Sequence, residues 1–143
     1  MPPTIRDARA ADAAVIAKLL GELGYPATGA AVTSRLERLV IVGDRVVVAD
    51  VDGEVVGLAH LHVSPTIEHE RPAGKLGALV VAESHRGRGI GRLLVEAVEE
   101  EATARGCGIF FVTTAERRDD AHAFYESLGL DRTGRRYGRT LSQ

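Results

Sequence analysis

A chain of 143 residues with 45% hydrophobic composition is long enough to bury one ordinary core. Its 18 basic and 20 acidic residues leave a formal net charge of -2, which excludes a global field for nucleic acid or anionic lipid, so its arginines must act locally. Cys107 is the only cysteine, which excludes an internal disulfide and a cysteine-built metal site, and Met1-Pro2-Pro3-Thr4 lacks the basic and apolar segments of a leader. The expectation is one cytoplasmic domain, residues 1–143, without a membrane span.

Thr4-Ile5-Arg6-Asp7-Ala8 alternates as a strand does, and Val15, Ile16, Leu19, Leu20 and Leu23 recur at helical spacing behind Asp12, a candidate N-cap. Gly24 and Pro26 stop that helix, with Tyr25 in the connection, and Val32, Leu36 and Leu39 predict a second helix between Thr28 and Val40. Arg45–Asp50 and Val55–Val63 are β-branched runs around Asp52-Gly53, which predicts an antiparallel hairpin. Period-two alternation puts His60 and His62 on one face of the second run. From Ser64 to Gly74 the chain is polar and reads as a loop carrying Glu68, His69 and Glu70, before a strand from Leu76 to Ala82.

The stretch from Leu79 to Leu94 runs from an apolar strand through a basic glycine loop into a helix, an arrangement suited to phosphate. Gly87, Gly89 and Gly91 let the backbone turn sharply and gather N–H groups, and Arg86, Arg88 and Arg92 surround them with charge. A Walker A reading fails because no Gly-Lys-Ser/Thr follows. The Gly-x-Gly-x-Gly spacing, followed by a strand with no acidic residue for a ribose, disfavours a dinucleotide site. Ile90, Leu93, Leu94, Ala97, Val98 and Ala102 mark one face of a helix ending near Arg105, with Gly106 beyond it. Ile109 to Thr113 reads as a buried strand, Ala121, Phe124, Tyr125 and Leu128 as a helix ending at Gly129, and Arg132 to Leu141 as a last, arginine-rich strand. Strands and helices in this order predict a mixed sheet with helices on both faces.

That order, with Arg86-Gly87-Arg88-Gly89-Ile90-Gly91 at the strand-to-helix junction and Ala123-Phe124-Tyr125-Glu126-Ser127-Leu128-Gly129-Leu130 one strand and helix later, resembles the GCN5-related N-acetyltransferases over nearly the whole chain. The resemblance implies that superfamily's mixed α/β fold: a mostly antiparallel sheet of six to seven strands, about four helices on both faces, and strands splayed at the cofactor site. It implies acetyl-CoA as cosubstrate, its pyrophosphate cradled by Arg86, Gly87, Arg88, Gly89, Ile90, Gly91 and Arg92 and its pantetheine and thioester along Leu79, Val80 and Val81. By the same resemblance Tyr125 points toward the CoA sulfur as a proton donor, although it also belongs to the packing stripe of its helix. Asp52-Gly53-Glu54-Val55-Val56-Gly57, Leu61-His62 and the segment from Arg118 to Tyr125 look most like small-molecule amine acetyltransferases of the aminoalkylphosphonate type. Lys75 and Ala78 stand where that type usually carries glutamates, and Ala115 where it carries an asparagine.

Acyl transfer to an amine needs a held thioester, a neutral amine, a polarised carbonyl and a proton for the departing thiolate. An alkyl ammonium with a pKa near ~10.4 is unprotonated in only about one molecule in a thousand at neutral pH, so a base is required. With Lys75 and Ala78 at the usual acidic places, His62, His60, Glu68, His69 and Glu70 remain, and His62 is taken first; either strand histidine can equally serve as a hydrogen-bonded core residue. Tyr25 and Glu68 are the acceptor-side candidates, Tyr25 because the loop between the first two helices borders the acceptor in the resembling enzymes. The histidines lack the compact spacing of a metal site, and none is expected. The expected reaction is direct attack of a bound small-molecule amine in a ternary complex, with no nucleic-acid or membrane partner and with the last strand free to pair in a homodimer. The alternative is a non-catalytic acetyl-CoA- or CoA-binding module of the same fold.

Overall fold

The computed structural model describes residues 2–113 and 119–141 and divides into two compact units, Met1–Phe111 and Val112–Gln143. In the first unit, strand β1 (Thr4–Asp7) is followed by helices α1 (Ala13–Leu23) and α2 (Gly29–Ile41), then strands β2 (Arg45–Val51), β3 (Glu54–Ser64) and β4 (Ala73–Val81). Helix α3 (Ile90–Ala104) and all but the last residue of strand β5 (Ile109–Val112) complete it. The sheet order is β1-β2-β3-β4-β5, and the first four strands pair antiparallel with their neighbours.

Local chemistry explains the boundaries. The hairpin turn holds Asp52 at φ 51° and Gly53 at φ 88°, the two left-handed residues of a type I′ turn, and the Asp50 carboxylate accepts the Gly53 N–H at 2.7 Å. Thr28 Oγ1 accepts the Ala31 N–H at 3.1 Å and opens α2, while Gly24 at φ 106° closes α1. Asp12 does not cap α1 with its side chain. Its carboxylate instead accepts the Arg9 N–H at 2.7 Å and two bonds from the Arg6 guanidinium, because a cation from β1 and an earlier amide reach it first.

Ile16, Leu19 and Val32 of α1 and α2 pack with Val48, Leu58 and Val80 on one face of the sheet. Helix α3 covers the other face with Ile90, Leu94, Val95, Val98 and Ala102. There Gly57 is required by close approach, since a Cβ on it would lie 2.9 Å from Leu94 Cδ1. Among the described residues no helix is long and apolar enough to cross a membrane.

The second unit carries helix α4 (Asp119–Ser127), which ends at Gly129, left-handed at φ 84°. The Phe124 and Tyr125 rings of α4 meet edge to face with centroids 5.3 Å apart. Residues 131–141 form neither helix nor strand and are exposed, so the described residues make a sheet of five strands and not the expected six to seven. Gly134, Gly138 and four arginines break the alternation in that tail, and Tyr137 and Leu141, its large apolar side chains, are 89% and 82% exposed; no apolar row is available for burial. Ala115 and Arg118 lie outside the described residues.

Arg6 ties β1 to both Asp12 and Asp50, at 2.9 Å and 3.1 Å, with side chains only 10–19% exposed. The Arg6 guanidinium holds the Asp12 carboxyl below the ordinary carboxylate range, against the opposing effect of burial. Replacing Arg6 with Met is expected to destabilise the fold by about 2 kcal/mol at pH 7, because two half-buried carboxylates lose their partner. A group whose folded pKa is depressed stabilises above its unfolded pKa and loses that contribution as pH falls through the folded one. The difference in urea midpoint between wild type and Arg6→Met should therefore be full at pH 7 and shrink below about pH 4.

Candidate active site

β4 leads through a 3-10 turn at Glu83–His85 into the glycine loop and α3. Gly87 at φ 78° and Gly89 at φ 81° occupy the left-handed region, and a Cβ on either would meet nothing within 4 Å, so the loop presents an open backbone surface. Gly91, expected as a third turn glycine, is instead the second residue of α3. The first helical bond runs from the Leu93 N–H to the Gly89 carbonyl at 3.2 Å. The N–H groups of Ile90, Gly91 and Arg92 therefore precede any intrahelical acceptor and point out of the helix end, where the dipole is positive. Arg86, Arg88 and Arg92 are exposed around them. Convergent donors, local cations and open glycines fit a pyrophosphate.

Strand and loop are joined by Arg86, whose Nε donates to the Val81 carbonyl at 3.0 Å. A second residue, Glu22 of α1, escaped the sequence reading: its Oε1 accepts the Glu83 N–H at 3.0 Å and lies 3.8 Å from the Arg86 guanidinium. Glu22 sits 61 residues from Glu83 in the chain, so no local pattern announces it. Because the Ala82 N–H donates to the Val56 carbonyl at 2.8 Å, antiparallel alternation turns the N–H and C=O of Val81 away from β3. Leu79 and Val81 are half-buried there, with Val80 in the core.

The histidines of β3 converge on one carboxylate that the sequence did not mark. Asp44, just ahead of β2, is buried with its side chain 2% exposed. Its Oδ2 lies 2.7 Å from His60 Nε2 and its Oδ1 lies 2.7 Å from His62 Nδ1. The register explains the convergence, since Arg45 pairs with Leu61, the residue between the two histidines. Drawing the hairpin register from the sequence was the one available signal. Across the other ladder His60 faces Ala78 and His62 faces Lys75, and a bulge between His60 and Leu61 leaves Gly77 unpaired on β4. Gly77 passes under the His60 ring, where a Cβ would come within 2.5 Å of Nδ1.

The remaining expected residues are placed as follows. Tyr25 is 67% exposed in the α1–α2 connection, its N–H bonded to the Leu20 carbonyl at 2.8 Å. Glu68, His69 and Glu70 are exposed on the loop at 65–72. Tyr125 is half-buried on α4 in the second unit. Cys107 is half-buried, with Sγ 3.3 Å from the position of a Cβ on Gly74, a packing role.

Comparisons with known proteins place this arrangement. The model of the acetyltransferase (GNAT) family matches residues 18–130. An aminoalkylphosphonate N-acetyltransferase of Salmonella typhimurium is 36% identical over 90 residues, 63% of this chain and 58% of that protein's length. The crystal structure of a Trypanosoma brucei acetyltransferase superposes with a TM-score of 0.85 at 26% identity, over 97% of this chain and 99% of that one. The aminoglycoside N-acetyltransferase AAC(6')-Iy, solved in complex with CoA, shares the fold with a TM-score of 0.85 at 20% identity, over 97% and 94% of the two chains. With the family model running from α1 past α4, and a scaffold shared nearly end to end, the chain belongs to the acetyltransferase (GNAT) family, a family of acyltransferases.

Proposed function

We propose that residues 1–143 form one acetyl-CoA-dependent N-acetyltransferase domain that delivers an acetyl group to the primary amine of a small molecule by direct attack. The observation that carries this reading is the open loop at Gly87 and Gly89 feeding the bare N–H groups of α3, on the scaffold of an acetyltransferase family. Acetyl-CoA, when bound, supplies an activated acyl carbon on a thioester. Arg86, Gly87, Arg88, Gly89, Ile90, Gly91 and Arg92 hold its pyrophosphate, and Leu79, Val80 and Val81 offer the backbone edge for pantetheine. The outward turn of the Val81 N–H supports a role in polarising the thioester carbonyl. His62 takes the amine proton, Tyr125 protonates the departing sulfur, and Tyr25 and Glu68 border the acceptor. Glu68, being acidic, favours a cationic acceptor, whereas the arginine-rich tail favours an anionic one, and the name of the Salmonella relative makes aminoalkylphosphonates the first compounds to try.

The deciding assay incubates the protein with acetyl-CoA and a panel of 1-aminoalkylphosphonates, amino acids, polyamines and aminoglycosides, and follows thiol release. Release with one amine class is expected. Tight CoA binding with release for none would instead identify a non-catalytic binding module. For Tyr125, substitution by Phe keeps the ring contact with Phe124 and removes the proton, and kcat should fall about 10²-fold with little change in melting temperature. Unchanged turnover in that variant would remove Tyr125 from the mechanism.

A further inference from the structure

We propose that Asp44 is the positioning residue of the transfer site: it fixes one tautomer on each strand histidine and leaves Nε2 of His62 as the atom that takes the amine proton. This inference rests on the acetyltransferase reading. A carboxylate can only accept hydrogen bonds, so the two ring nitrogens 2.7 Å from its oxygens must carry protons. In the neutral ring His60 is therefore the Nε2–H tautomer with Nδ1 left as acceptor, and His62 the Nδ1–H tautomer with Nε2 left as acceptor.

The two bare nitrogens are not equivalent. Nδ1 of His60 lies against Gly77, where an added Cβ would come within 2.5 Å of it, and the His60 side chain is only 22% exposed. His62 is 44% exposed, and its Nε2 is at the far side of the ring from Asp44. His60 thus acts as the second clamp on the carboxylate, and His62 faces the acceptor. A buried carboxylate needs such donors to offset its desolvation, and it stabilises the imidazolium formed when His62 gains a proton.

Asp44 itself is held firmly. Its N–H donates to the Leu39 carbonyl at 2.9 Å, and the preceding Gly43, left-handed at φ 86°, gives its carbonyl to Arg105 of the segment after α3. Arg105 is in turn paired with Glu101 at 2.7 Å. In a purely structural clamp His62 would only satisfy Asp44 Oδ1, as His60 satisfies Oδ2. His62 differs in being half-exposed, with a second ring nitrogen that Asp44 does not engage, and that marks the site as chemical. In the step itself the ammonium's first proton goes to His62 Nε2, the freed pair on nitrogen forms the C–N bond, the C–S pair leaves on sulfur with a proton from Tyr125, and the second proton that the new amide nitrogen gives up returns to the tyrosinate through solvent.

The test compares wild type, Asp44→Asn, His62→Ala and the double variant. Long-range ¹H–¹⁵N NMR of the wild-type protein should show His62 as the Nδ1–H tautomer, and Asp44→Asn should move it toward Nε2–H. With acetyl-CoA and the best amine of the panel, Asp44→Asn should lower kcat about 10²–10³-fold while KM for acetyl-CoA stays within about twofold. The double variant should be no slower than His62→Ala, because Asp44 acts through His62. The proposal is overturned by an Nε2–H His62 in the wild type, by multiplying effects in the double variant, or by a fully active Asp44→Asn beside an inactive His62→Ala. Should no amine be turned over, the transfer reading falls and the wild-type tautomer decides alone: Nδ1–H upholds the placement by Asp44, Nε2–H overturns it.

Discussion

Replacing His62 with Gln should lower kcat for acetyl transfer by about 10²–10⁴-fold and leave the affinity for acetyl-CoA within about twofold. Gln is chosen because its amide can still donate to Asp44 Oδ1, so the clamp on the buried carboxylate survives while the basic nitrogen is lost. The cofactor loop begins after β4 and owes its shape to Gly87, Gly89 and the start of α3, none of which His62 contacts through a described bond. A loss confined to kcat separates a base from a residue that merely shapes the pocket, since the latter would raise KM as well. Melting temperature should change little. Calorimetric titration with CoA and steady-state kinetics with the best amine make the measurement, and free imidazole in the assay should restore part of the rate to His62→Ala. Wild-type kcat in His62→Gln would move the base elsewhere, with Glu68 and His69 next to be tried.

What could be read from the sequence follows from how local each signal is. The hairpin at Asp52-Gly53 was legible because two adjacent residues dictate the turn, and the helix ends at Gly24 and Gly106 because a left-handed glycine closes each. The glycine loop was legible for the same reason, except at Gly91, where spacing alone could not distinguish a turn glycine from one in the first turn of a helix. The expected last strand from Arg132 to Leu141 does not form, because a strand needs an apolar row to bury and residues 132–141 offer only Tyr137 and Leu141. Asp44 and Glu22 were invisible for a different reason. Each completes its site from far along the chain, Asp44 reaching 16 and 18 residues to the histidines and Glu22 reaching 61 residues to Glu83, through a register that exists only once the sheet has formed. The paired histidines were seen, and so was the loss of acids at Lys75 and Ala78. That these four positions face one another across the β3–β4 ladder was not.

Gly89→Val should reduce acetyl-CoA affinity by about 100-fold while costing the fold only about 1–2 kcal/mol. At φ 81° and ψ 6° Gly89 sits where a β-branched residue is strained, yet an added Cβ there meets no atom within 4 Å, so the strain is of the backbone alone. The chain can relieve it by leaving the left-handed region, which disturbs the Gly89 carbonyl that accepts the first bond of α3 and re-aims the N–H groups of Ile90, Gly91 and Arg92. Those groups supply the charge-assisted bonds to the pyrophosphate, and losing two of them at about 1.5 kcal/mol each accounts for the factor. Gly89→Asn is the discriminating companion, because asparagine tolerates the left-handed region and should retain most of the affinity although it adds a larger polar side chain. Gly134→Val, in the exposed tail with ordinary backbone angles, should bind as wild type does. If Val and Asn at position 89 weaken binding equally, the loss is due to occupied space and not to backbone aim, and the cradle must then be formed by the arginine side chains more than by the helix end.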